Sequence, residues 1–267
     1  GWQFELIENA PGYIWEVKKV LREAKEANSK VKIAFMLDVF TKDNHKAAQN
    51  LINMFKTIKD EWKDHPNIYR LNGAPVIFCY IMFNRSPEDW KIIIDLFEAE
   101  YGKCIWLMNI WDGKVCSNVN LAPEYLRKYL PYFDGVSQYG NWGTDTQKKL
   151  DGYVSEIMHK EFPRKIFEGC AQNAYSNHFH FGGIATKLSK KWRDSFDIAL
   201  ASEPDSIVMT NFFDHYENSL ILPCYEREDF MLRYAQYRLD KWRNRSFRAS
   251  GKPELVVTNY VSVLLGR

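Results

Sequence analysis

The chain has 267 residues, 46% of them hydrophobic and 26% charged, and its 36 basic and 34 acidic residues leave a net charge of +2. A chain of this length buries most of its apolar surface on folding, which excludes intrinsic disorder and a small disulfide scaffold. The balanced charge offers no electrostatic footprint for nucleic acid, and no apolar run is long enough to span a bilayer. We therefore expect neither a nucleic-acid partner nor a membrane span.

Short apolar runs alternate along the chain with longer segments of helical periodicity. Each run is almost continuously apolar, which is typical of a parallel strand buried on both faces. The predicted strands are Val31–Leu37, Pro75–Ile81, Lys103–Asn109, Phe133–Tyr139, Lys165–Gly169 and Ser206–Phe212. The predicted helices are Tyr13–Asn28, His45–Trp62, Pro87–Tyr101, Ala122–Leu130, Asp145–Phe162, Leu188–Ser202 and Glu226–Trp242.

This strict alternation predicts an α/β fold with a parallel sheet, and the spacing of the strands is typical of a (β/α)8 TIM-type barrel. The first of the six predicted strands is preceded by a helix, and Gly1–Pro11 looks too short to supply two more strands. We therefore expect a barrel that lacks one or two N-terminal βα units in this chain, with an open sheet as the alternative. We assign residues 1–245 to the barrel catalytic domain and residues 246–267 to a C-terminal extension.

Sites in parallel α/β folds form at the carboxyl ends of the strands. Here those ends are rich in Asp, Asn, Gln, Tyr and Trp, which are residue types that suit a polyhydroxylated ligand. Asp38 ends the first predicted strand and is a candidate partner for a sugar hydroxyl, with a helix-cap or loop role as the equal alternative. Aromatic residues make up 15% of the chain and can supply flat platforms for sugar rings.

Asp214 and Glu217 form the strongest candidate catalytic pair. Both follow the apolar run Ile207–Met209 and lie among aromatic residues. Two carboxylates beside one scissile bond can divide the work of acid and base when their environments separate their pKa values. Their spacing is compatible with both the short separation of a retaining glycosidase and the longer one of an inverting enzyme, so the stereochemical outcome stays open. An exposed acidic loop is the alternative interpretation.

Metal chemistry has weaker support in the sequence. The five cysteines are widely spaced without a C-x-x-C pair, which argues against a disulfide framework and a zinc ribbon. His178 and His180 are candidate metal ligands, but no third ligand is clustered with them, so a sugar contact or a structural role is favoured. We expect no metal and no other cofactor. A metal hydrolase built on these two histidines and a carboxylate is the least favoured alternative.

Three segments resemble the sequence signatures of glycoside hydrolase families 71 and 99. Thr210–Pro223 is similar to the final-strand pattern S-W-N-[DE]-W-x-E-[GS]-x-x-I-x-P and places Asp214 and Glu217 on its two acids. His65–Tyr80 resembles the run H-P-x-Y-x-x-x-x-G-K-P-V-x-x-x-Y, and Phe133–Tyr139 resembles F-D-G-V-x-x-Y. The three matches occur in the family's order along the chain.

The resemblance implies an endo-acting glycoside hydrolase that cleaves α-linked mannoside or glucoside bonds in a polysaccharide or glycan. On the template of family 99, Asp214 deprotonates the sugar 2-hydroxyl, and Glu217 acts as general acid and then as general base. Further residues are expected to contact the glycan. These are Tyr80, Tyr139, Asn141, Trp142, His178, His215 and Tyr216.

The same resemblance implies an oligosaccharide or polysaccharide as the partner, no cofactor, and a secreted, periplasmic or cell-surface location. The chain also departs from the family motif, because Phe213 stands where the motif has Asn and His215 stands where it has Trp. A non-catalytic carbohydrate-binding protein on the same barrel is therefore the alternative function.

Overall fold

The computed structural model describes residues 2–7, 11–58, 62, 64–80, 82, 84–140, 142–172, 188–210 and 230–244. The strands are β1 (Trp2–Ile7), β2 (Ile33–Asp38), β3 (Arg70–Leu71), β4 (Ala74–Cys79), β5 (Ile105–Asn109), β6 (Gly135–Ser137), β7 (Ile166–Gln172) and β8 (Ser206–Thr210). The helices are α1 (Pro11–Glu26), α2 (Asn44–Lys56), α3 (Pro87–Tyr101), α4 (Gly113–Ser117), α5 (Ala122–Tyr129), α6 (Thr144–Glu161), α7 (Leu188–Ala201) and α8 (Phe230–Trp242). Among these described helices, none combines the length and the apolar character needed to cross a membrane.

The described residues form two compact units. The first unit contains the described residues up to Gln138 together with Glu156–Phe167, and the second contains Tyr139–Ser155 and the described residues from Glu168 onward. In the first unit the parallel strands follow the order β1-β2-β4-β5-β6, and the short β3 pairs with β4 in the antiparallel sense. In the second unit β7 pairs with β8 in parallel.

The alternation predicted from the sequence is confirmed. All six predicted strands and all seven predicted helices are present as β2, β4 to β8, α1 to α3 and α5 to α8. The longest disagreement over a described helix end is at α2, which ends at Lys56. A parallel α/β fold is therefore shown, whereas a closed (β/α)8 barrel stays a prediction.

The sequence prediction assigned no strand to Gly1–Pro11, which was expected to be too short to supply two, and the structure places one strand there. Trp2–Ile7 forms β1, which pairs in parallel with β2 along its whole length. Gln3 and Glu5 interrupt the apolar pattern, so this segment lacks the continuous apolar run by which the other strands are recognised. Six residues are nevertheless a usual strand length. The chain therefore contains a strand, β1, that the sequence prediction did not include, and this strand precedes the predicted helix α1 in a βα unit.

Local sequence explains where two helices of the first unit begin. Asp43 caps α2 by accepting a hydrogen bond from the backbone amide of Lys46 at 2.8 Å. Ser86 and Asp89 form a reciprocal capping box at α3, in which each side chain accepts from the other residue's backbone amide, at 3.1 and 3.2 Å. Pro87 in the first turn lacks an amide that would need a partner. These caps fix the ends of α2 and α3 that follow β2 and β4.

An aromatic cluster fills the first unit. Phe55 of α2 contacts Phe35, Trp62 and Phe97 edge to face, with ring centroids 5.2, 4.8 and 4.9 Å away. Phe97 of α3 also contacts Trp106 of β5 at 5.4 Å. All five side chains are buried. Because they come from β2, α2, α3, β5 and the segment before β3, the cluster packs both helices against the sheet.

The second unit has its own apolar core between α7, α8 and β7. Trp192 and Phe196 of α7 pack edge to face with ring centroids 4.9 Å apart, against Ala171, Met231 and Ala235. The indole nitrogen of Trp192 donates to the backbone oxygen of Met231 at 3.2 Å, which satisfies its polar group inside the core. These contacts fix α7 against β7 and α8.

Candidate functional site

Four polar side chains lie in one row at the carboxyl ends of strands in the first unit. Asp38 ends β2, Tyr80 directly follows β4, Asn109 ends β5 and Ser137 ends β6. The registers of these strands place the four residues at the same level, each beside the next. Side chains at one level of a parallel sheet project from the same face. The structure therefore brings the predicted site residues Asp38 and Tyr80 together at the carboxyl end of the sheet.

The surroundings of Asp38 limit which groups can react. Asp38 is only 4% exposed, and Tyr80 is half-buried, with its backbone amide donating to the oxygen of Leu37 at 3.0 Å. Burial raises the pKa of the Cys79 thiol, and the negative charge of Asp38 raises it further. The thiol of Cys79 therefore stays protonated, which makes it a poor nucleophile. Of Asp38, Cys79 and Tyr80, the carboxylate and the phenol are therefore the groups suited to bind a ligand.

Asn109 extends this row and was not among the predicted site residues. It is 2% exposed, and its side-chain oxygen accepts a hydrogen bond from the backbone amide of Trp111 at 2.9 Å. Its side-chain nitrogen is buried and has no partner among the described residues. A buried donor without an acceptor costs free energy, so this position favours a ligand oxygen. The sequence feature that could have identified Asn109 is its position as an amide residue at the end of an apolar strand.

The loop after β6 carries predicted site residues in the second unit. Tyr139 is half-buried and Trp142 is buried. The backbone amide of Trp142 donates to the side-chain oxygen of Gln172, at the end of β7. The backbone oxygen of Gly140 accepts from the hydroxyl of Thr210, at the end of β8, at 3.4 Å. Both anchors lie at carboxyl ends of strands, where the sequence predicted the site.

Six of the predicted site residues lie outside the described residues. They are Asn141, His178, Asp214, His215, Tyr216 and Glu217. The catalytic pair therefore stays a prediction, placed by sequence shortly after the end of β8. In the part of the chain that the structure describes, no group of three or more His, Cys, Asp and Glu side chains is arranged to hold a metal ion.

The F-D-G-V segment has a structural role that the structure makes plain. The side chain of Asp134 accepts from the backbone amide of Trp106 at 2.9 Å, and the backbone oxygen of Asp134 accepts from the amide of Ile166 at 2.9 Å. A Cβ added at Gly135 would lie 2.2 Å from the backbone oxygen of Ile166, so a side chain there would collide. Asp134 and Gly135 thus allow the start of β6 to pack closely against Trp106 of β5 and Ile166 of β7.

The His-Pro-Asn segment is also structural. The ring nitrogen Nδ1 of His65 accepts from the backbone amide of Asn67 at 3.1 Å. The side-chain nitrogen of Asn67 donates to the backbone oxygens of Ser29 and Val31, at 2.8 Å each, and its backbone oxygen accepts from the amide of Ile33. This segment therefore fixes the backbone at the start of β2. These motif residues stabilise the fold, and their contacts give no information about the reaction.

No protein-family profile matches the sequence, and no curated protein matches it. Two solved structures are similar over 90% of the chain with a TM-score of 0.69. One is a GH99 endo-α-mannosidase from Bacteroides thetaiotaomicron in complex with bis-tris propane, which is 17% identical and has 78% of its chain covered. The other is a structure of the GH99 endo-α-mannosidase from the same organism, 18% identical, with 74% covered. The resemblance drawn from the motifs is confirmed at the level of the fold.

Proposed function

We propose that the chain is an endo-acting glycosidase that cleaves α-linked mannoside or glucoside bonds, with Asp214 and Glu217 as its catalytic acids. The similarity of its fold to endo-α-mannosidases over 90% of the chain carries the proposal. The acid pair supports it, because both residues follow β8 in sequence and TIM-type barrels place their active sites beyond the carboxyl ends of the strands. The row of Asp38, Tyr80 and Asn109 supplies polar partners for sugar hydroxyls at such an edge.

The proposed reaction has two steps. In the first, Asp214 takes the proton of the sugar 2-hydroxyl, and the 2-oxygen attacks the anomeric carbon to form a three-membered ring. The bond from the anomeric carbon to the leaving oxygen breaks, and Glu217 donates a proton to that oxygen. In the second, Glu217 takes a proton from water, the water attacks the anomeric carbon, the three-membered ring opens and Asp214 returns its proton. Glu217 must hold its proton near neutral pH, which requires a pKa above its usual range, whereas Asp214 must stay ionised.

This mechanism favours mannosides over glucosides. The 2-hydroxyl can displace the leaving oxygen only from the opposite face of the ring. An α-mannoside has the two oxygens on opposite faces, whereas an α-glucoside has them on the same face. Cleavage of an α-glucoside would instead require direct attack on the anomeric carbon by a carboxylate or by a water that a carboxylate activates. The relative rates on the two sugars therefore test which role Asp214 plays.

The test is the release of reducing ends from α-mannan and from α-1,3-glucan by the wild type, Asp214→Asn and Glu217→Gln. Both substitutions should lower turnover by several orders of magnitude. Glu217→Gln should recover partly on a substrate with a good leaving group, because that group needs no proton. Asp214→Asn should not recover, because the first step still lacks its base. Glu203→Gln, an exposed acid of the same unit, is the matched control and should keep full activity.

Other outcomes would replace the proposal. Glycan binding by the wild type without release of reducing ends would indicate the carbohydrate-binding protein. Loss of activity on treatment with a chelator, restored by zinc, would favour the metal hydrolase with His178 and His180. Near-normal turnover of both acid variants would show that Asp214 and Glu217 are not the catalytic pair.

A further inference from the structure

Lys191 is buried although it belongs to a polar stretch of α7. It is 5% exposed, whereas its neighbour Lys190 is exposed and pairs with Asp194. An ammonium group loses its hydration when it is buried, and such positions are rare unless the charge is used. The two adjacent lysines therefore have different roles. Lys190 forms an ion pair in solvent, and Lys191 does not.

The ammonium of Lys191 holds the loop after β6. It donates to the backbone oxygen of Trp142, and its nitrogen lies 3.4 Å from the side-chain oxygen of Gln172. The same oxygen of Gln172 accepts from the backbone amide of Trp142. The carbonyl and the amide of Trp142 are thus both bound by side chains of the second unit. Because two donors share one oxygen, the orientation of the Gln172 amide is also fixed.

A second anchor lies two residues earlier in the same loop. The backbone oxygen of Gly140 accepts from the hydroxyl of Thr210 at 3.4 Å and from the thiol of Cys170 at 3.7 Å. Burial raises the pKa of Cys170 to about 12, so this thiol keeps its proton and remains a donor. Lys191 therefore supplies the charged contact of an otherwise neutral set of anchors.

The charge has no carboxylate partner among the described residues. Its acceptors are a carbonyl and an amide oxygen, and burial lowers the pKa of Lys191 to about 8. An apolar side chain of the same length would avoid this cost, so the contact to the loop is what distinguishes lysine at this position. Charge-assisted hydrogen bonds are also stronger than neutral ones, which suits a group that must fix a loop.

We propose that Lys191 is a positioning residue that holds the described residues of the loop after β6 (Tyr139, Gly140, Trp142 and Gly143) in one conformation and so presents the half-buried Tyr139 to a glycan. The part about the glycan rests on the proposed function, whereas the part about the loop does not. A loop that visits other conformations binds more weakly in proportion to the time it spends in them. Loss of Lys191 should therefore weaken substrate binding more than it slows the chemical step.

The first measurement is hydrogen exchange of the full-length chain, comparing the wild type with Lys191→Met and with Lys190→Met as the matched control. In Lys191→Met the amides of Tyr139–Gly143 should exchange about tenfold faster or more, because the loop opens locally. The amides of β7 and α8 should keep their protection. Lys190→Met should match the wild type everywhere, because it removes only an exposed ion pair. Lys191→Arg, which keeps a charged donor, should restore part of the loop's protection.

The second measurement is steady-state kinetics on the glycan that the wild type cleaves. Lys191→Met should raise KM about tenfold while kcat changes less than about threefold, and Lys191→Arg should recover part of the loss. A tenfold fall in kcat without a change in KM would overturn the positioning role. If the wild type cleaves no glycan, the proposed function fails while the exchange result still decides the role of Lys191 in the loop.

Two further results would overturn the proposal. One is unchanged exchange at Tyr139–Gly143 in Lys191→Met. The other is faster exchange spread evenly over the whole second unit, which would mean general destabilisation. If Lys191→Met does not fold, Thr210→Val removes one of the two neutral contacts to the backbone oxygen of Gly140 instead, and the same local rise in exchange is expected.

Discussion

An aromatic cluster packs α2 and α3 against the sheet in the first unit, whereas buried hydrogen-bonding side chains surround the loop after β6 in the second unit. Phe55 and Phe97 have only carbon contacts to satisfy, and neighbouring rings surround them. Lys191, Gln172 and Gln147 are also buried, but each of them donates or accepts hydrogen bonds. The aromatic cluster and the surroundings of this loop are therefore stabilised in different ways.

This difference has a functional meaning. Apolar packing has no direction and stabilises a scaffold as long as volume is preserved. Hydrogen bonds have direction, and a buried one fixes the position of a particular backbone group. The aromatic cluster is thus suited to stabilise a scaffold, and the hydrogen-bonding side chains of the second unit are suited to hold a loop. Four substitutions test this contrast, in order of decreasing expected effect.

The largest effect is expected in the aromatic cluster. Phe55→Ala removes a fully buried ring that contacts three others, so it should lower the unfolding free energy by about 3–5 kcal/mol. Phe55→Leu keeps more of the volume and should cost clearly less. Urea unfolding measures both, with the exposed Phe40→Ala as the control. Equal losses for the alanine and leucine variants would contradict packing as the cause.

The next effect depends on pH and on Lys191. In the folded chain its pKa is about 8, below the ordinary value of 10.5, so between these values the unfolded state binds more protons. The contribution of Lys191 to the unfolding free energy should therefore rise with pH in this range by on the order of 2 kcal/mol, and it is absent below the range. Lys191→Met should remove this rise, whereas Lys190→Met should keep it. Parallel pH profiles for the wild type and Lys191→Met would contradict the prediction.

A third test removes a buried hydrogen-bond donor from the second unit. The side-chain nitrogen of Gln147 donates to the backbone oxygens of Cys170 and Ser195, at 2.9 and 3.3 Å. Gln147→Leu leaves both oxygens without this donor, and it should lower the unfolding free energy by roughly 2 kcal/mol despite the similar size. Thermal unfolding measures the loss, with the exposed Lys148→Leu as the control. No loss would mean that directional bonding contributes little to this unit.

The smallest effect is expected at a helix cap of the first unit. Ser86→Ala removes the acceptor for the backbone amide of Asp89, and the unfolding free energy should fall by about 1 kcal/mol. Ser86→Asp keeps an acceptor and should recover most of the loss. Denaturant midpoints of the two variants give the comparison. A loss as large as that of Phe55→Ala would contradict the ranking of aromatic packing above a single capping hydrogen bond.

The sequence predicted the scaffold well because burial on both faces leaves a clear pattern. Every strand with a continuous apolar run was found, whereas β1 was missed because Gln3 and Glu5 break its run. The position of Asp38 at a strand end was predictable for the same reason. Its neighbours in the row follow from strand register, which only the folded chain defines.

The task of Lys191 could not have been predicted from sequence. Lys190 and Lys191 are identical and adjacent, and both look like residues of a solvated helix face. Only the packing of α7 against β7 decides which of them points inward. Asn109 is an intermediate case, since its place at a strand end was visible but its unsatisfied donor was not.

The order of the chain within the first unit has a consequence for protein synthesis. This unit contains Glu156–Phe167, which lies beyond Tyr139–Ser155 of the second unit. The amide of Ile166, which bonds to Asp134, belongs to that later segment. A nascent chain that has emerged only to Gln138 therefore lacks part of its first unit. Translation must continue past Phe167 before this unit can complete its folding during synthesis.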